Sequence, residues 1–166
     1  KDVKLLEPGD AATVVSMLQN GGGDIGNGAE PQINEGIAKG VWDEPFYKFT
    51  DMGDFSYSVF GVKKSTVKNE PETVQKFVNA ILKALKTVQE DKSTAEKDLR
   101  LEFPTLGDAS VKASLDRAYA DSLWSRDGYI SEKAVTNDMN MLIKTGIYNG
   151  SYSYKELVDM RFADKK

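Results

Sequence analysis

Any chemistry in this sequence has to be done without histidine or cysteine, since neither occurs among its 166 residues. Their absence excludes Ser-His-Asp and Cys-His nucleophilic sites, histidine- or thiolate-bound zinc and disulfide frameworks. Carboxylates, lysine and tyrosine are left as the reactive side chains. Asp51 and Asp54, either side of Gly53, have the spacing of a carboxylate pair for acid/base work, yet Asp and Gly so placed more often make a turn. Gly21, Gly23 and Gly26 match G-x-G-x-x-G, which brings backbone amides to a pyrophosphate when it follows a strand and opens a helix. Here it follows a helix-like stretch and precedes a strand-like one, so it reads as a flexible helix-to-strand turn. Asn27, Gly28, Ala29 and Glu30 fall where that strand-like stretch meets a helix beginning near Pro31, a place where open α/β sheets hold ligands. The alternative is a tight loop in which Glu30 complements the helix dipole. Asn149-Gly150-Ser151 satisfies the glycosylation triplet, a signal with weight only in a secreted eukaryotic protein.

The elements that would position these residues alternate at first. Val3–Leu6 reads as a strand ended by Pro8-Gly9, and Asp10 as the N-cap of a helix whose Val14, Met17 and Leu18 share a face. Asn20-Gly21 stops that helix, Asp24–Ala29 reads as a short buried strand, and Pro31 suits the first turn of a helix running to Gly40. Phe46–Thr50 and Phe55–Val62 are rich in aromatic and β-branched residues and read as two more strands. Their aromatics, with Trp42, read as core that in part lines a pocket. Beyond them the pattern is helical. Asn69–Asp91 carries Val74, Phe77, Val78, Ile81, Leu82, Leu85 and Val88 at helical spacing, with Pro71 in its first turn. Further helices are expected over Thr94–Phe103, Asp108–Ala120, Ser131–Thr145 and Ser153–Met160, the last opening with a Ser-x-x-Glu capping pattern. The order predicts an α/β portion over residues 1–62 and a helical portion over residues 63–166.

Composition narrows the partners. The 26 acidic residues outnumber the 22 basic ones, for a formal charge of −4 and a pI near 5.0, which disfavours nucleic acid and anionic membranes. No apolar run reaches the roughly 20 residues that a spanning helix needs. The chain enters at Lys1 without an initiator Met, which reads as processing or as a piece of something longer.

Several phrases stand in the order of one family. "DVKLLEPGDAATVVSMLQNGGGDIGNGAEP", "YSVFGVKKSTVKNEPETVQKFVNAILKAL" and "GYISEKAVTNDMNMLIKTGIYNGSYSYKELVDMRF" together resemble the C-terminal part of ABC-transporter substrate-binding proteins of the nitrate, sulfonate, taurine and thiamine-pyrimidine type. The resemblance implies a partial α/β fold of the type II periplasmic-binding-protein kind, whose second-lobe βα units are followed by C-terminal helices. It implies an extracytoplasmic bacterial protein that binds a small polar or anionic organic molecule in an inter-lobe cleft and delivers it to a membrane permease. No cofactor, metal or catalytic residue is implied. Glu30 and Pro31 match the family's Glu-Pro, while Ala29 replaces its usual aromatic and opens the pocket. Tyr57 and Ser58 match the stretch near the return crossing. The ligand-binding set is therefore Asn27, Gly28, Ala29, Glu30, Asp54, Tyr57 and Ser58, with Glu30→Ala expected to weaken binding and spare the fold.

Nothing here corresponds to the family's N-terminal lobe, so a missing lobe or a second chain is expected to cover the helices after Asn69. Two other functions remain open. One is a thiamine-pyrimidine precursor synthase of the same fold, which depends on histidine, iron and a cysteine-rich motif; the other is a helical protein-interaction module.

Overall fold

The computed structural model describes residues 2–163; Lys1 and residues 164–166 lie outside it. Among the described residues there is no strand and no sheet. The expected α/β, periplasmic-binding-protein-like fold is therefore corrected to an all-helical one. Val3–Leu6, Asp24–Ala29 and Phe55–Val62 run as irregular or extended chain, and Phe49–Met52 is a 3-10 turn. The physical reason is that β-propensity measures fit to a pleated, half-covered surface. No described segment supplies a neighbouring strand to complete one.

The chain divides into two compact units. Of the described residues, unit 1 contains 2–47 and 96–123, and unit 2 contains 48–95 and 124–163.

In unit 1, α1 (Ala11–Gln19) packs on α2 (Gln32–Ala38), and α2 packs on α6 (Asp108–Ala120). Asp10 caps α1 by accepting from the Thr13 amide at 2.7 Å. Gly21, at φ +72°, ends it in a Schellman turn, with the Gly21 amide on the Leu18 carbonyl and the Gly22 amide on the Met17 carbonyl. The core is small: Val15, Val111, Leu115 and Ala118, with Val111 fully enclosed. Trp42 lies against Gly26 and Gly36, where a β-carbon on Gly36 would collide with the indole ring, and its Nε1 donates to the Ile33 carbonyl at 2.8 Å. At the end of α6 the Schellman pattern recurs with Ser122, not glycine, in the left-handed region at φ 50°.

In unit 2, the short α3 (Lys64–Asn69) leads into α4 (Pro71–Glu90). Pro71 presets the first turn of α4, and its missing amide costs nothing there. α4 ends at Asp91, whose carboxylate then accepts from the Thr94 amide at 3.0 Å and hydroxyl at 2.7 Å, starting α5 (Lys92–Glu102). The boundary between the units falls inside α5. α7 (Glu132–Lys144) is capped by the Ser131 hydroxyl and carries Ala134, Val135 and Met139 into the core, and α8 (Tyr154–Leu157) packs on it. The apolar stripe of α4 is only partly covered: Val74 is buried, its other members are half-buried, and Phe77 is exposed with its ring edge-on to Phe60 at 5.2 Å.

Each unit leaves large apolar side chains uncovered. Tyr57, Val59, Phe60 and Val62 lie exposed in unit 2, and Val3, Leu5, Ile25 and Phe46 in unit 1. No helix among the described residues is long and apolar enough to cross a membrane.

Candidate functional site

Four of the expected ligand-binding residues, Asn27 to Glu30, are contiguous in unit 1 and run into α2. Asn27 and Ala29 are exposed; Gly28 lies 3.6 Å, by its notional β-carbon, from Ile33. Glu30 is different in kind, since its side chain is only 14 % exposed and is fully engaged. One carboxylate oxygen accepts from Arg117 Nε at 2.5 Å. The other accepts from the buried Ser114 hydroxyl at 3.1 Å and from the Asn34 amide at 3.3 Å. Asn34, also buried, sends its side-chain amide to the Ser110 carbonyl at 3.4 Å.

Arg117 bridges two carboxylates. Its Nη1 and Nη2 reach Glu44 at 2.6 and 3.4 Å, on an irregular loop where the Glu44 side chain is 69 % exposed. The Glu44 carboxylate foremost, with Glu30, holds the Arg117 guanidinium above its ordinary pKa, against burial that pulls it down. Arg117 and Ser114 come from successive turns of α6, whose Val111, Leu115 and Ala118 face the core and aim these polar side chains along its flank. The cluster can seat and orient a charge. Among the described residues no three acidic side chains converge as a metal site would require.

Asp54, Tyr57 and Ser58 lie in unit 2, all exposed, Tyr57 by 87 %. Their segment is tethered to α7: Asn137 donates to the Asp54 carbonyl at 2.8 Å, the Ser56 amide to Asp138 at 3.0 Å, and Lys133 sits 3.4 Å from the Asp54 carboxylate. The Ser56 hydroxyl is buried without a hydrogen-bond partner, an uncommon state for a buried polar group. Asp51 accepts from the Lys48 amide within its own turn. An open depression in the same unit is lined by Lys155, Val158, Asp159, Met160 and Arg161, and none of the expected ligand-binding residues lines it.

Arg117, Ser114, Asn34 and Glu44 were not expected from the sequence. Arg117 and Ser114 lie 87 and 84 residues from Glu30, and no local pattern announces such a pairing.

The chain is similar to "Putative binding protein YtlA" of Bacillus subtilis (strain 168), with 27 % identity over 169 residues covering 99 % of this chain. It spans about half the length of that relative, 50 %. No protein-family model matches the chain, and no solved structure matches it at a significant level.

Proposed function

We propose that this chain is the ligand-binding part of an extracytoplasmic solute-binding component of an ABC uptake transporter. It carries a small polar or anionic organic molecule toward a membrane permease and performs no catalysis. The observation that carries this reading is the similarity, along nearly the whole chain, to a relative named a binding protein. In unit 2 the exposed Asp54, Tyr57 and Ser58 offer a carboxylate, a phenol and a hydroxyl of the kind that contacts a small polar ligand, and in unit 1 the exposed Asn27 precedes the small residues Gly28 and Ala29. Glu30 holds α6 in place, and its part in binding is to position Arg117.

A further polypeptide belongs to this reading, either more of the same parent or a second chain. The apolar side chains exposed in each unit, among them Leu5, Ile25 and Phe46 in unit 1 and Tyr57, Phe60 and Phe77 in unit 2, are surfaces that such a polypeptide would cover. Native mass spectrometry of the purified protein tests both points at once. A retained small molecule, or a larger assembly that retains one, is the expected result. A lone 18.3 kDa species that binds neither sulfonate, nitrate nor pyrimidine in calorimetry would overturn the reading.

A further inference from the structure

We propose that Asn27 is a site of spontaneous covalent modification: with Gly28 it closes to a succinimide and reopens as aspartate or isoaspartate, adding a carboxylate three residues before Glu30. The inference does not depend on what the chain binds.

The chemistry needs an asparagine side chain free to turn and a following backbone nitrogen free to reach it. Glycine suits the second place because no β-carbon crowds the approach. The sequence has three Asn-Gly steps, at Asn20, Asn27 and Asn149. The fold restrains two of them. Asn20 donates its side-chain amide to the Ser16 carbonyl at 2.8 Å, and the Gly21 amide is held on the Leu18 carbonyl at 2.9 Å. Attack there requires both bonds to open first. At Asn149 the turn is closed by Tyr148, whose hydroxyl donates to the Ser151 carbonyl at 2.5 Å and lies 2.7 Å from where a β-carbon of Gly150 would stand. Asn27 has neither restraint. It is exposed in irregular chain, and among the described residues neither Asn27 nor Gly28 makes a hydrogen bond.

The step balances with one water. The Gly28 nitrogen bonds to Asn27 Cγ as the Cγ–Nδ2 bond breaks, and ammonia leaves with the Gly28 amide proton. Water then opens the ring at Cγ, giving aspartate, or at the main-chain carbonyl carbon, giving isoaspartate, whose backbone runs through Cβ and is one atom longer. Either product adds one negative charge to the formal −4. The longer backbone falls where the fit is close: Gly26 and Gly28 lie against the Trp42 ring, 2.8 and 3.8 Å from their notional β-carbons. Trp42, whose indole N–H donates to the Ile33 carbonyl at 2.8 Å, therefore reports on the change.

The test incubates the purified protein, folded and in urea, at mildly alkaline pH and follows each Asn-Gly step by peptide mapping and mass spectrometry. In the folded protein position 27 should convert first, with isoaspartate among its products and the Trp42 indole resonance shifting in step. In urea, where the turns are gone, the three steps should convert at similar rates. Gly28→Ala should slow conversion at position 27 about tenfold, as a modest rise in the barrier implies, and leave the other two sites unchanged. Its β-carbon would have ordinary room, 3.6 Å from Ile33, at a φ outside the left-handed region. Should that variant not fold, Asn27→Gln replaces it: the larger ring it would need closes far more slowly, and conversion at position 27 should again fall. Asn20 or Asn149 converting as fast as Asn27 in the folded protein overturns the proposal, as does an Asn27 that converts in urea and persists in the folded protein. Conversion that Gly28→Ala does not slow overturns it too, because the route would then not pass through the succinimide.

Discussion

One ion pair of unit 1 and one of unit 2 keep charge in opposite ways. In unit 1 an acid and a base are drawn below the surface, with Glu30 and Arg117 about one-seventh exposed and every oxygen of Glu30 bonded. In unit 2 the comparable pair, Lys133 and Asp54, stays in water at 3.4 Å, and the neighbouring chain is tied to α7 through backbone groups. A buried pair is costly to break because the surviving partner cannot be rehydrated, whereas an exposed pair barely registers. The lesson is that the Glu30–Arg117 pair organises structure in unit 1, while the Asp54–Lys133 pair of unit 2 stays in water and contributes little.

The sharpest way to break this contrast is to truncate one acid in each unit. Glu30→Ala should destabilise the protein by about 2–4 kcal/mol, because it removes the buried partner of Arg117 Nε and leaves the buried Ser114 hydroxyl without its acceptor. Asp54→Ala should cost less than about 1 kcal/mol. Urea denaturation of both variants decides the matter, and equal midpoints would erase the distinction. This replaces the expectation that Glu30→Ala spares the fold, which treated Glu30 as an unanchored loop residue.

A second, smaller effect concerns the apolar side of unit 1. Gly36→Ala places a methyl group into the Trp42 indole, and overpacking of this kind costs about 1–3 kcal/mol. A lowered melting temperature with shifted tryptophan emission is expected, and an unchanged melt would show that Trp42 can swing away.

The smallest effect compares helix starts in the two units. Asp10 in unit 1 is held below its ordinary carboxylate pKa, foremost by the Thr13 amide, and Asp91 in unit 2 likewise by the Thr94 amide. Since the folded value is depressed, the stabilisation is fully present above the ordinary carboxylate pKa, near 4, and is lost as pH falls through the lower folded value. Acid titration should fray the starts of α1 and α5 together, visible as falling helical circular dichroism that Asp91→Asn makes less pH-dependent.

What was legible in the sequence was whatever local pattern determines. Asp10 and Ser131 cap the helices they were expected to cap, Pro71 opens α4, and α6 spans Asp108–Ala120 as the spacing predicts. The strands were misread because Phe55–Val62 has the side chains of a strand, but a strand exists only beside another, and its neighbour cannot be read from the segment itself. α3 was missed because Lys64–Asn69 has one apolar residue and hence no period to detect. The Glu30 cluster was half-legible: the acid was singled out, yet its partners lie more than eighty residues away on the flank of α6. Trp42 read as part of core and pocket, but nothing near it says that its ring must fit over Gly36.

Ser122 closes the helix that carries Arg117, in a backbone conformation that costs an L-residue roughly 1–2 kcal/mol. The strained joint sits five residues from the guanidinium. Backbone strain is thereby held about one turn beyond the side chain that grips Glu30, where a glycine would carry none of it.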